Sequence, residues 1–140
     1  MKIFIIRYGF TFIVMFGGIF LFFGCKTKVE QKELIGVYAA KYPYGMEQLR
    51  ITPNGTYEQL FAFKGQSLKT VNKGKWEIRY LDGQQLILNN PIIIDDGFGN
   101  ISTMKKESDS AWPLHIYKSI TGKIFFPINE DLGFVFKKIQ

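Results

Sequence analysis

The chain holds one cysteine and one histidine in 140 residues, and each scarcity closes off a kind of chemistry. A lone cysteine can form no internal disulfide, so the fold must be held by its core. A chain of this length buries roughly two-thirds of its unfolded surface and can fold without such staples. Zinc sites need three or four Cys or His ligands, which one of each cannot supply. A nucleophilic triad needs an imidazole base, and the sole candidate is His115, inside Trp112-Pro113-Leu114-His115-Ile116-Tyr117. Ser108, Ser110 or Ser119 could reach it only from a distance, and no spacing singles one out. Twelve acidic residues suggest no carboxylate pair of the kind that hydrolyses glycosides. Strong net charge is lacking too. Setting aside Lys2 and Arg7, the only charges in residues 1–24, leaves 16 of the 18 Lys+Arg against 12 Asp+Glu, too mild a balance for a nucleic-acid surface. The length fits one small domain and excludes a multidomain enzyme. These absences predict a non-enzymatic protein with no metal and no cofactor.

Phenylalanine is abundant: there are 14, seven of them in residues 1–24. Met1-Lys2 and Arg7 are followed by Tyr8 to Gly24, an uncharged stretch rich in Phe, Ile, Val, Met and Leu. A basic start, an apolar stretch and a small residue before the cut are the order of an export signal. Its 17 residues also sit at the lower edge of what spans a bilayer, which keeps an uncleaved anchor helix as the alternative. Leu21-Phe22-Phe23-Gly24-Cys25 places a small residue directly before the only cysteine. This end resembles the lipobox of bacterial lipoproteins, Leu-Ala/Ser-Gly/Ala-Cys; Gly24 and Cys25 match it, and Phe22 and Phe23 depart from it. The resemblance implies cleavage after Gly24, lipidation of Cys25 and a place in the cell envelope. It divides the chain into a signal peptide (1–24), a tether (25–33) and a domain (34–140). Two or more acyl chains hold a protein stably on a bilayer where one does so marginally. Lys26 stands where an Asp often marks inner-membrane retention, which favours the outer membrane and leaves the leaflet open. Lys26, Lys28 and Lys32 suit either anionic headgroups or a solvated tether.

From Glu33 onward apolar residues recur mostly at every second position, with turn residues at short intervals and no long helical spacing. The pattern predicts an all-β domain: an antiparallel meander of eight to ten short strands forming a small barrel or sandwich, with helices at most minor. Strands are expected over 36–42, 47–52, 57–64 and 74–81, with Gly65–Lys73 as a looser basic connection. Asn54-Gly55 is the strongest hairpin signal, suited to a type I′ turn. Shorter strands are expected over 85–88, 91–95, 102–106, 115–120, 123–128 and 134–139, with a glycine-rich loop at Asp96–Asn100. Leu34-Ile35-Gly36-Val37-Tyr38, Asn54-Gly55-Thr56-Tyr57 and Gly74-Lys75-Trp76 together resemble the opening of bacterial lipocalin-like proteins, Leu-x-Gly-x-Trp, an Asp-Gly-Thr-Tyr hairpin and Gly-x-Trp. Tyr38 stands for the first Trp and Asn54 for the Asp. The resemblance implies a lipocalin-like barrel.

Asp95-Asp96-Gly97, with Asp109 as a neighbour, lacks the alternating acids and terminal Glu of a calcium loop and reads as a turn. Lys64, Lys69, Lys73 and Lys75, beside Phe61, Phe63 and Trp76, outline a basic and aromatic patch, yet an exported protein has little access to nucleic acid, which is not expected as a partner. The stripes Tyr57/Phe61/Phe63, Trp76/Ile78/Tyr80, Leu86/Leu88 and Phe134/Phe136 should face inward, as plain core or as the wall of a cavity. In the cavity case Tyr38, Tyr57, Phe61, Trp76, Ile78, Tyr80 and Phe134 form the binding site for a small hydrophobic ligand. In the core case the domain is a solid structural or protein-interaction module of the envelope, and a protein is its partner.

Overall fold

A period of two demands a sheet with one dry face, and the computed structural model, which describes residues 28–95, 101–106 and 110–140, has that form. One helical turn, α1 (Gln31–Leu34), precedes eleven strands. They are β1 (Gly36–Tyr42), β2 (Gly45–Ile51), β3 (Thr56–Phe63), β4 (Lys69–Tyr80), β5 (Gln84–Asn89), β6 (Ile92–Asp95), β7 (Ile101–Lys106), β8 (Ala111–His115), β9 (Tyr117–Lys118), β10 (Ile124–Asn129) and β11 (Phe134–Lys138). Nine of them make one antiparallel sheet in the order β8-β5-β4-β3-β2-β1-β11-β10-β9, and β6 and β7 pair as a separate hairpin. The sheet curls until β8 lies beside β10, giving a nearly closed barrel. The export signal, Cys25, Lys26 and the Asp96–Asn100 loop, together with Ser108 and Asp109, fall outside the described residues.

Three local readings are corrected. The 52–55 hairpin is present, but only Gly55 takes a positive φ (79°). A type I′ turn needs two such residues, and here Asn54 Oδ1 instead accepts the Thr56 N–H (3.2 Å), closing a longer loop. The basic connection Gly65–Lys73 is mostly strand, because β4 begins at Lys69. Its lysines Lys69, Lys73 and Lys75 point outward while Asn72 turns in, and a bulge at Gln59/Leu60 adjusts the register to β3. The strand expected over 115–120 shrinks to β9, two residues long, and β8 forms ahead of it over Ala111–His115, where no strand is expected.

Proline explains both β8 and the incomplete closure. In the β5–β8 ladder the Ile116 N–H donates to Gln84 O and the Asn90 N–H to Ser110 O. Hydrogen-bonded pairs recur every second residue, so Pro113, opposite Ile87 and three residues from each bond, turns its nitrogen away from β5. On β10 the Ser119 N–H donates to Lys123 O. By the same alternation Phe125, opposite Tyr117, and then Pro127 face the β9 side of the strand. Both lips of the gap therefore lack a backbone donor, and proline belongs where no ladder bond is required. Side chains cross where the ladder does not: the Trp112 ring meets Phe136 edge-on at 6.3 Å.

Buried apolar side chains pack into one cluster in the interior. Tyr38, Leu49, Leu86, Leu88, Phe126 and Phe136 are all buried, with Tyr38 and Phe126 ring centroids 4.5 Å apart. The two ends are stopped differently. At the end where the chain enters, Val29 and Leu34 are buried, and Val29 is clamped by Gln84, whose Oε1 accepts the Val29 N–H (2.9 Å) and whose Nε2 donates back to Val29 O. At the opposite end Ile92 and Ile94 of β6 fold into the core.

Candidate functional site

Inward parity on β2, β3 and β4 places Glu47, Gln59 and Asn72 inside the barrel, and these are its buried polar side chains among the described residues. They form one network. Tyr42 Oη donates to Glu47 Oε2 (2.8 Å) and Gln59 Nε2 to Glu47 Oε1 (2.8 Å). Gln59 also donates to Ile92 O (2.9 Å) and accepts the Ile92 N–H (2.9 Å), so its amide imitates a neighbouring strand for β6. Asn72 Nδ2 donates to Gln59 Oε1 (3.0 Å), Asn90 O (2.8 Å) and Tyr57 Oη (3.2 Å). Tyr57 Oη in turn donates to Asn89 O (2.9 Å). The network holds the segment from β5 into β6 across the mouth of the barrel. Among the described residues no buried side-chain polar atom lacks a partner, so none is left aimed at a guest.

Burial pushes the Glu47 carboxyl up to about 7 from its ordinary 4.5, against the opposing pull of the Gln59 and Tyr42 hydrogen bonds. The neutral acid therefore favours the folded state, and its contribution is fully present below pH 4.5 and is lost as pH rises through about 7. The half-buried Glu33 and Glu58, drawn down by Lys118 and by Thr70 with Lys73, act in the opposite sense. Comparing wild type with Glu47→Gln isolates the buried group. Urea unfolding should show the variant gaining on wild type between pH 5 and pH 8, by about 3 kcal/mol at most. A difference that stays level across that range would contradict the assignment.

Of the residues expected to bind a ligand, Tyr38, Tyr57, Phe61, Trp76 and Phe134 are brought inside and Ile78 is half-buried. Their polar handles are already engaged: Tyr38 Oη donates to Leu34 O (2.9 Å) and Trp76 Nε1 to Thr52 O (3.0 Å). Burial lifts both Tyr38 and Tyr57 above the usual phenol range, Tyr57 to about 12. Phe134 packs edge-on against Tyr42 at 4.9 Å, and Phe61 against Phe63 at 5.0 Å. Tyr80 does not join them. It is 61% exposed, at the end of β4, with the Lys28 ammonium 5.4 Å from its ring centroid. Phe63 likewise lies at the surface.

His115 is exposed, beside Gln85 and the Tyr117 ring. Ser119 Oγ serves its own turn, accepting the Lys123 N–H and meeting Thr121 Oγ1. Among the described residues no three His, Cys, Asp or Glu gather as metal ligands. Two depressions mark the surface, one between the 52–55 turn and β4, lined by Thr56, Glu58 and Lys73, and one beside Glu33, Thr121 and Lys138; both are open to solvent. No family model, curated protein or solved structure matches the chain. The site therefore rests on its own geometry: a barrel plugged from within by a polar network, with its exposed apolar groups outside.

Proposed function

We propose that the protein is a lipid-anchored, non-enzymatic component of the cell envelope whose barrel serves as a solid-cored structural or protein-interaction module. The observation that carries the second half is the occupied interior, in which the side chains expected to line a cavity, Tyr80 excepted, pack into one cluster and Tyr38, Tyr57 and Trp76 spend their hydroxyl and indole donors on backbone carbonyls. Small barrels are filled in this way, whereas a carrier keeps an apolar volume with polar groups turned to the guest. The membrane half is supported by the apolar segment ending at Gly24-Cys25, with the outer membrane favoured by Lys26.

Tryptophan fluorescence tests the module against a carrier of small hydrophobic ligands. In full-length protein with Trp112→Phe, leaving Trp76 as the reporter, titration with fatty acids should leave emission flat. Saturable quenching that Phe61→Ala weakens without unfolding would overturn the solid-core reading. Palmitate labelling of cells should mark the wild-type chain and vanish in Cys25→Ser, and an unlabelled wild type would replace lipidation with an uncleaved anchor.

A further inference from the structure

The exposed apolar side chains are unevenly placed. β1 leaves the chain-entry end and β2 returns to it, so the 52–55, 81–83 and 119–123 turns, α1 and the C-terminus share that end. Among the described residues, Tyr80, Leu81, Tyr117, Ile120 and Ile139 are exposed there, whereas Phe63 and Leu132 are exposed toward the other end. Ile120, at a turn tip, is 96% exposed, and Leu81 is carried at the tip of the neighbouring hairpin, joined to it where the Ile116 N–H meets Gln84 O. Lys28, Lys32 and Lys123 stand among them. Among the described residues of this end, Glu30, Glu33 and Glu77 are neutralised by Lys32 (2.7 Å), Lys118 (2.6 Å) and Arg79 (2.6 Å), and Asp82 adds a further acid.

Covalent length dictates what this end faces. Cys25 precedes Lys28 by three residues, and an extended chain spans at most about 3.6 Å per residue. Lys28 therefore lies within about 11 Å of the point where the chain leaves the membrane, whether that point is a lipidated cysteine or the end of an uncleaved apolar helix. Val29, the next residue, is already buried in the barrel end and clamped by Gln84. No slack remains to turn the other end toward the lipid.

We infer that the chain-entry end of the barrel docks on the phospholipid surface, with the Leu81 and Ile120 tips in the headgroup layer and Lys28 and Lys123 against anionic headgroups. The inference rests on the anchoring proposed above and adds an orientation to it. Apolar side chains at an interface reach about 5–10 Å into the headgroup and acyl boundary, and juxtamembrane lysines are attracted by anionic lipid.

The test uses the full-length chain in vesicles of phosphatidylethanolamine and phosphatidylglycerol carrying an acyl-chain nitroxide. An environment-sensitive fluorophore is placed at Leu81→Cys, Ile120→Cys or Leu132→Cys, with the parent chain as the blank for Cys25. All three positions are exposed, and circular dichroism confirms that each variant folds. Quenching at 81 and 120 should exceed that at 132 by about twofold or more. If the protein floats with the vesicles while the three labels are quenched alike, docking is refuted and anchoring stands. If it fails to float, both are refuted.

Discussion

Gln59→Leu should lower the unfolding free energy by about 3–5 kcal/mol, because each buried polar partner left unmatched costs about 1–3 kcal/mol. Leucine is close to glutamine in size, so little of the loss comes from a cavity. It comes from the Ile92 N–H and C=O, Glu47 Oε1 and Asn72 Nδ2, all of which lose a partner at once. The damage should be local before it is global. Hydrogen exchange at the Ile92 amide should quicken well beyond the change at strands β1 and β2, since β6 is held to the barrel through this side chain. Urea denaturation gives the first quantity and exchange the second. An Ile92 amide protected as in wild type would show that another group holds β6.

Trp76→Ala should cost about as much, 3–5 kcal/mol by the usual range for an aromatic removed from a core. The ring is buried, and its Nε1 ties β4 to the 52–55 turn through Thr52 O, while the backbone N–H of the same residue donates to Gly55 O. Only the side-chain bond is lost on mutation. Trp76→Phe, which keeps most of the apolar area and drops the indole donor, should therefore cost about 1 kcal/mol, plus whatever Thr52 O fails to recover from water. Near-equal losses in the two variants would mean that the hydrogen bond, rather than packing, dominates at this position.

Much of the fold is legible in the residues themselves. The all-β barrel follows from period-two patterning punctuated by Asn54-Gly55, Asp82-Gly83 and Thr121-Gly122, and β1, β3 and β11 lie within a residue or so of their expected bounds. What escapes is polar sequence doing inward work. Lys69–Lys73 looks like a loop because four of its five residues are charged or polar, yet Asn72 carries the inward parity of Trp76 two steps earlier in the alternation. Glu47 shares the face of Leu49 and Ile51, and Gln59 that of Tyr57 and Phe61. The signal was parity, overridden by residue type. Tyr80 fails in the opposite way: it has the inward parity of Trp76 and Ile78, but the strand runs past the edge of the core before reaching it. Pro113 argues locally against a strand and is admitted because its nitrogen falls on the unpaired side. The Cys25 reading lies outside the described residues and depends on the motif alone.

The paired prolines at the gap also set where the barrel yields. Prying β8 from β10 breaks no ladder among the described residues, whereas every other boundary of the curled sheet must surrender backbone hydrogen bonds. Thermal opening should therefore begin as an unrolling along this line. The strand edges bared by such an opening are poor templates, because a second chain laid against either one would find a proline in place of a donor. The barrel thus has a built-in zip that can part without inviting another molecule to fasten onto it.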